Sequence, residues 1–542
     1  MLLLLALAVP LLHTVRGSAL PAAPSDVTRD ARGVVPASAV SKSGTPPRYA
    51  YVLMHYEGTP KDDEYVLGLR VLIRSIQDTK TPHDIVVILS KNVRESTRAA
   101  LQADGAKLLE VDNLQNPFER KVEGRNSYKA RFVYSFNKLY VWNMTDYERV
   151  VFLDSDNIFI DNMDALFHCG HFCVVFMNPL IFHTGLIVVK PDATMFKRLV
   201  HALYSDASFS HDGADQGFLV AQFDVEHAPL YLPSEHPHAP SEAPAMRLNI
   251  GWNINHFWYY IHFDWDWFFQ APGLSHEYPW MRREYPNGRP SDAVAGSSLA
   301  YCSGMMLKPW YWFPTFYFTH HYKWHDMRAE LGDNYWAVLL SRVALLAVLV
   351  PIVRMGSDRA RIDKVTLLDP LRDVALRVFS IAPVLFGYLY GLFAFFLHGY
   401  VAFQLIPFTT PPWMAWSIWS LWHVGLGFTH LTLLVNTVLR PTASSMRRES
   451  ALAEARGAGN ATVHSTSEEI NAAAASVSGW FALSLFVAAQ SIFFVAWADI
   501  FPHFIVKIGI FEYLLMGWIG LYAHVFRRAT QRMLALRPAI KE

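Results

Sequence analysis

The sequence predicts an α/β domain built on a mostly parallel sheet, followed by an all-α polytopic membrane domain. Three observations carry that expectation. Short apolar runs alternate with helix-length segments between residues 49 and 312, long apolar runs begin after Asn334, and the loops between those runs divide into a basic set and a set without Lys or Arg. Composition agrees: 542 residues, 52% hydrophobic and only 17% charged, are too many for one ordinary core and too apolar for a chain wholly in water. Lys plus Arg and Asp plus Glu stand at 47 each, so no basic excess points to a nucleic-acid partner.

The apolar run from Leu2 to Leu12 is too short to span a bilayer and is followed by Gly17, Ser18 and Ala19. Residues 1–22 therefore read as a secretory signal, cleaved or kept as a stub. Residues 23–47, rich in Ala, Ser and Pro without hydrophobic periodicity, read as a flexible tether. Between 48 and 312, Tyr51-Val52-Leu53-Met54, Ile85-Val86-Val87-Ile88-Leu89 and Val150-Val151-Phe152-Leu153 are strand-like, and 64–77 and 93–103 are helix-like. Strand, helix, strand in that order places ligands at the carboxyl ends of the strands. The Pro- and His-rich tract 229–244 reads as a loop. Residues 313–334 form an aromatic connector, continuing from Trp310 and Trp312 to Tyr322 and Trp324; such rings suit a membrane interface or a core under the sheet.

Beyond the connector, 335–353, 378–403, 413–439, 477–498 and 504–526 are each long enough to cross the hydrocarbon core, a domain of about five helices over 335–526. The segments 354–373 and 440–476 and the tail 527–542 carry clusters of Arg and Lys, whereas 404–412 and 499–503 carry none. By the positive-inside rule the basic segments are cytosolic, so the domain before the first span is lumenal, in Golgi or ER, and the C-terminus cytosolic. Asn143-Met144-Thr145 would then be open to glycosylation and Asn460-Ala461-Thr462 would not.

The sharpest chemical signal is the buried-type strand Val150–Leu153 running into Asp154-Ser155-Asp156. Two carboxylates spaced two apart at a strand end can supply hard oxygen ligands to a divalent cation and leave positions open for a diphosphate. Cys169 and Cys173, with His168 and His171 beside them, lack the second ligand pair of a structural zinc site; a disulfide or buried thiols are the expectation.

Five ordered stretches extend this signal. They are Phe136-Asn137-Lys138-Leu139-Tyr140-Val141-Trp142, Phe152-Leu153-Asp154-Ser155-Asp156, Thr184-Gly185-Leu186-Ile187-Val188, Asp212-Gly213-Ala214-Asp215-Gln216-Gly217 and Lys308-Pro309-Trp310. Their order and approximate spacing resemble the glycogenin-like retaining glycosyltransferases, family 8, over about residues 48–312. With the spans that follow, the whole chain resembles the plant-type inositol phosphorylceramide glucuronosyltransferases. The resemblance implies a nucleotide-sugar-binding (GT-A-like) sheet domain, a UDP-sugar donor, Mn²⁺ held by Asp154 and Asp156, and a sphingolipid acceptor in the bilayer. It also implies that Lys138 and Lys308 contact the phosphates or sugar, that Gly304 allows close backbone approach, and that Tyr65 packs on uracil. Ser155, Thr184 and Gly185 would line the donor site, Arg131 or Arg125 would add a phosphate contact, and Asp212, Asp215 and Gln216 would face the sugar. Retention is expected through same-face attack with Asp215 and Gln216 orienting the sugar, the alternative being a covalent intermediate on Asp215.

Two positions depart from the family pattern. His183 stands where the family has Asn, and Tyr301-Cys302-Ser303-Gly304 stands where it has a metal-binding His, leaving His183 as one substitute. A polysaccharide transferase with a membrane anchor, and an inactive scaffold or transporter, are the alternative functions.

Overall fold

The computed structural model describes residues 48–59, 61–118, 132–178, 181–236, 239–255, 298–300, 308–313, 319–332, 382–407, 409–434 and 504–535. The described residues fall into two compact units. Residues up to Trp310 together with 320–332 form one; 311–313 with the helices of 382–434 and 504–535 form the other. The signal and tether, the spans expected at 335–353 and 477–498, and Arg131, Arg125, Gly304, Tyr301 and Cys302 lie outside the described residues.

In the first unit β1 (Tyr49–His55), α1 (Asp62–Asp78), β2 (Asp84–Ser90), α2 (Glu95–Ala103) and β3 (Lys107–Val111) alternate as expected. β1 and β2 are buried along nearly their whole length, which is why they read as continuous apolar runs rather than alternating ones. α1 opens on Asp62, Asp63 and Glu64, acidic residues that favour a helix N-terminus. The Asp62 carboxylate accepts from the Gly58 and Thr59 backbone N–H groups at 2.8 and 2.9 Å, fixing the turn out of β1. Leu69, Leu72, Ile73 and Ile76 form its buried stripe.

A 3-10 helix (Ser135–Asn143) then leads to β4 (Arg149–Leu153), β5 (Asn157–Phe159), β6 (Phe172–Asn178), β7 (Ile181–Val189), α3 (Ala193–Leu203), α4 (Asp215–Gln222), β8 (Met246–Leu248), β9 (Ile254–Asn255), β10 (Ser298–Ala300) and α5 (Thr319–Glu330). Seven strands make one sheet in the order β3-β2-β1-β4-β7-β6-β8, and β5-β10-β9 make a small second sheet. The large sheet is mixed: β3, β2, β1 and β4 run parallel, β7 is antiparallel to both β4 and β6, and β8 is parallel to β6. The antiparallel turn follows from β6 and β7 being joined by two residues, too few for a crossover. β4 is central, and its register against β7 pairs Leu153 with Leu186, so that the Asp154 N–H donates to the Gly185 carbonyl at 2.9 Å. The core beneath is aromatic, with Phe136, Phe152 and Phe218 fully buried. Cys169 and Cys173 form a disulfide across the start of β6. His168 and His171 are engaged elsewhere, with the His236 carbonyl and Glu242, each at 2.8–2.9 Å.

The second unit contains α6 (Pro383–Leu405), α7 (Pro412–Leu434) and α8 (Phe504–Ala535). Two of these, over Val384–Leu405 and Gly509–Arg528, are long and apolar enough to cross a membrane. α6 turns Leu385, Phe393, Phe396 and Tyr400 outward, each more than half exposed, the inverse of a helix in water. α7 carries Trp413, Trp416, Trp419, Trp422, His423 and His430, which lower its hydropathy. α8 differs from the expected boundary: the helix runs past Phe526 through Arg527, Arg528 and Arg532 to Ala535 rather than giving way to an irregular tail. Of the connector aromatics, Trp310, Trp312 and Trp324 are each buried within their own unit, so for these three the protein interior takes the place of the expected interface.

Phe152 lies on the central strand with no exposed surface. Phe152→Ala is expected to destabilise the sheet unit by about 3–5 kcal/mol, read as a lowered unfolding midpoint of the purified protein.

Candidate active site

The carboxyl end of β4 opens into a pocket lined by Asp154, Ser155, Asp156, Lys138, Asp215 and Tyr65, with Met54, His55 and Tyr56 from the end of β1. Asp154 and Asp156 leave the strand in a turn held by Asn157, whose side-chain amide donates to the Asp154 and Gly185 carbonyls at 2.9 and 3.2 Å. Gly185 is required by close approach: a Cβ there would meet the His183 Nδ1 at 2.7 Å.

Lys138, fully enclosed on the 3-10 helix, reaches Asp215 at 2.6 Å and Asp154 at 3.1 Å, and also donates to the Thr184 carbonyl at 3.1 Å. Thr184 Oγ1 donates to the same Asp215 oxygen at 3.0 Å. Four elements thus converge on one ammonium: the 3-10 helix, the end of β4, β7 and the first turn of α4. Burial alone would lower the Lys138 pKa, but Asp154 and Asp215 outweigh it and hold the lysine charged. Burial pushes Asp154 up to about 6, Lys138 opposing and Asp156 and Asp215 adding to the rise, although 34% of its side chain remains accessible through the pocket. His183 beside it is lowered to about 4 by burial and then by Lys138, so the ring is neutral. Its Nδ1 accepts the Gly185 N–H at 3.0 Å, which leaves the proton on Nε2 and no free lone pair there for a metal.

Lys308, buried like Lys138, forms an ion pair with Asp156. Its segment is anchored by Trp310, whose indole N–H donates to Glu64 at 3.1 Å and whose ring meets Tyr65 edge-on at 5.4 Å. Gly68 permits this docking: a Cβ there would lie 2.8 Å from the Trp310 ring and 2.9 Å from the Ser155 carbonyl oxygen.

Of the residues expected at the site, Lys138, Asp154, Ser155, Asp156, Tyr65 and Asp215 line this one pocket. Thr184, Gly185 and Lys308 bond directly to them. Asp212 departs from expectation. It is exposed, and its Oδ1 accepts from Ser210 Oγ and from the Ala214 and Gly217 N–H groups at 2.8–3.0 Å, capping the turn into α4. Asp212 therefore positions Asp215 rather than facing the pocket. Gln216 sits beside Asp215 in the first turn of α4 and is not among the lining residues. His55 and Tyr56 also line the pocket although they belong to no motif; their place at the carboxyl end of β1 is the signal in the sequence that points to them.

Among the described residues no group of three His, Cys, Asp or Glu is arranged to hold a metal. Two carboxylates in the pocket still fit a hard divalent cation of the kind that completes its shell with substrate phosphates and water, and such a cation would relieve the repulsion that helps raise Asp154.

Comparison with known proteins follows this geometry. The family model described as Glycosyl transferase family 8 matches residues 60–170. "Putative glucuronosyltransferase PGSIP8" of Arabidopsis thaliana is 31% identical over 407 residues, 72% of this chain and 71% of that protein. The chain belongs to glycosyl transferase family 8. "Putative glucuronosyltransferase PGSIP7" of the same plant is 38% identical over 285 residues, and "Inositol phosphorylceramide glucuronosyltransferase 1" is 30% identical over 291. These two alignments cover 52% and 53% of this chain, and the chain spans about half of each relative's length, 51% and 47%.

The folded-state value of Asp154 lies above its usual 3.8, so the folded protein holds its proton more tightly. Its contribution to stability is therefore present below about pH 4 and is lost as pH rises through about 6. Lys138→Met should leave two crowded carboxylates without their cation and cost about 3–5 kcal/mol at neutral pH. Adding Asp215→Asn should recover part of that loss in thermal unfolding, an outcome that independent sites would not give.

Proposed function

We propose that this family 8 protein is a retaining, UDP-sugar-dependent hexosyl- or glucuronosyltransferase. On this reading it moves a sugar, glucuronic acid, to the headgroup of a membrane lipid, inositol phosphorylceramide, in sphingolipid glycosylation. The observation that carries it is the strand-end pocket in which Asp154, Asp156 and Asp215 face Lys138 and Lys308. Four carboxylates, Asp62, Asp154, Asp156 and Asp215, against two ammoniums leave the pocket net negative with all four ionised, a setting that takes a divalent cation first and the anionic donor with it. Mn²⁺ held by Asp154 and Asp156 would, when bound, neutralise charge building on the departing diphosphate.

The remaining work belongs to the chain's own side chains. The cavity is about 130 Å³, with Lys308 paired to Asp156 at its edge. Lys308, as a point charge beside Asp156, would be placed to contact the donor's diphosphate. Lys138 keeps Asp215 ionised and fixed near the anomeric carbon, where it orients the sugar for same-face attack. Tyr65, its edge fixed by Trp310, offers a face for uracil.

The glucuronic acid and the phosphoceramide acceptor are supported by the names of the relatives and by two helices able to cross a membrane. A multi-pass Golgi or ER protein with a lumenal catalytic domain and a cytosolic C-terminus is supported by the distribution of basic loops and by the Cys169–Cys173 disulfide, a bond favoured in oxidising compartments.

The test is purified full-length protein incubated with a panel of UDP-sugars and phosphoinositol lipids and read by mass spectrometry. A uronic-acid mass added to the lipid is expected; sugar appearing only on polysaccharide or on no acceptor overturns the proposal. Asp154→Ala should lower both transfer and donor hydrolysis by roughly a hundredfold or more. Because a cation binds the carboxylate, Mn²⁺ affinity should be level above pH 6 and fall by about tenfold per unit below it, measured by Mn²⁺ titration between pH 5 and 7.5.

A further inference from the structure

The helical unit holds a feature that the sugar chemistry does not use. Between α6, α7 and α8 lies a groove of about 390 Å³, within the range of about 300–1,000 Å³ typical of small-molecule sites. Its walls are Phe395 and Phe403 of α6, Trp416 and Trp419 of α7, and Leu515 and Trp518 of α8, with Trp312 of the connector closing it. Almost no polar surface lines it, so hydrocarbon rather than a headgroup suits it.

Two observations say what enters. First, the rim includes Phe396 and Tyr400, which are 62% and 64% exposed on the outward apolar face of α6. The groove is therefore continuous with the surface of a helix able to cross a membrane, and a chain can slide in sideways from the bilayer. Second, Trp312 and Trp518, 1% and 3% exposed, keep their indole N–H groups without a hydrogen-bond partner among the described residues. Buried indoles normally find an acceptor, and Trp419 beside them does, donating to the Gly399 carbonyl at 2.9 Å. These two N–H groups lie beneath the groove surface rather than on it, so the walls present ring and alkyl carbon to whatever enters.

We infer that the groove binds one hydrocarbon chain of the lipid acceptor. The inference rests on the lipid-acceptor reading and makes the helical unit part of acceptor recognition rather than a passive anchor. Selection then acts on chain length, not only on the headgroup.

The test uses full-length protein in lipid nanodiscs and a phosphoinositol ceramide analogue carrying a diazirine midway along its acyl chain. Irradiation should place adducts on groove residues of α6, α7 and α8, displaced by excess unlabelled lipid. Adducts confined to the outer face of α6, at Leu385 and Phe393, or on none of the three helices, overturn the inference. Leu515→Trp, which fills the groove, should raise KM for the long-chain lipid by about tenfold relative to that for a soluble headgroup-only acceptor. Equal KM changes for both acceptors would count against the groove. Cross-linking in the groove without sugar transfer would refute the lipid-acceptor reading alone, and transfer without groove adducts would refute the groove alone.

Discussion

One ammonium group organises the catalytic end of the sheet. Asp154 ends a central strand and Asp215 begins a helix more than sixty residues later; without a cation between them their carboxylates would repel in a poorly solvated pocket. Lys138 supplies that cation from a third element, and Thr184 from a fourth completes the hydrogen bonding of Asp215. A buried ion cluster of this kind is weak evidence for stability, since desolvation offsets most of the attraction. Its value lies in geometry: four segments distant in sequence are fixed to within hydrogen-bond tolerance around a pocket in which carboxylates outnumber ammoniums.

The second lysine answers a different need. Lys308 comes from late in the unit's chain and meets Asp156, so a second ammonium is brought to the strand-end carboxylates. Trp310 holds its segment in place through Glu64 and the gap left by Gly68.

Much of this was legible in the sequence, and the reasons differ by element. Strands β1, β2 and β4 are buried on both faces, so their apolar runs stand out; Asp154 and Asp156 were visible because they end such a run. The antiparallel partner β7 was not legible as such, since direction depends on the two-residue link to β6 rather than on periodicity. The role of Asp212 was misread because a capping carboxylate and a sugar-facing one look alike in sequence; only the three donors gathered on one oxygen separate them. His55 and Tyr56 escaped notice because they belong to no motif and reach the pocket only through the alignment of β1 with β4.

The helical unit faces the opposite packing problem. Helices whose outer faces are apolar gain little from apolar contact in a lipid solvent, so polar contacts and ring shape must set their register. Here His398 and His430 bond at 2.9 Å across α6 and α7, Tyr390 closes on His430 at 2.5 Å, and Tyr522 of α8 bonds His398. Both ring nitrogens of both histidines are engaged, so the network is complete and fixes one arrangement of three helices rather than many. A groove between helices keeps its shape only if they cannot slide past one another, and a one-turn slip of α6 would leave four polar groups unpaired in an apolar interior. The histidine network is thus the structural condition for a groove lined by indole and phenyl rings, which by themselves would pack in several ways.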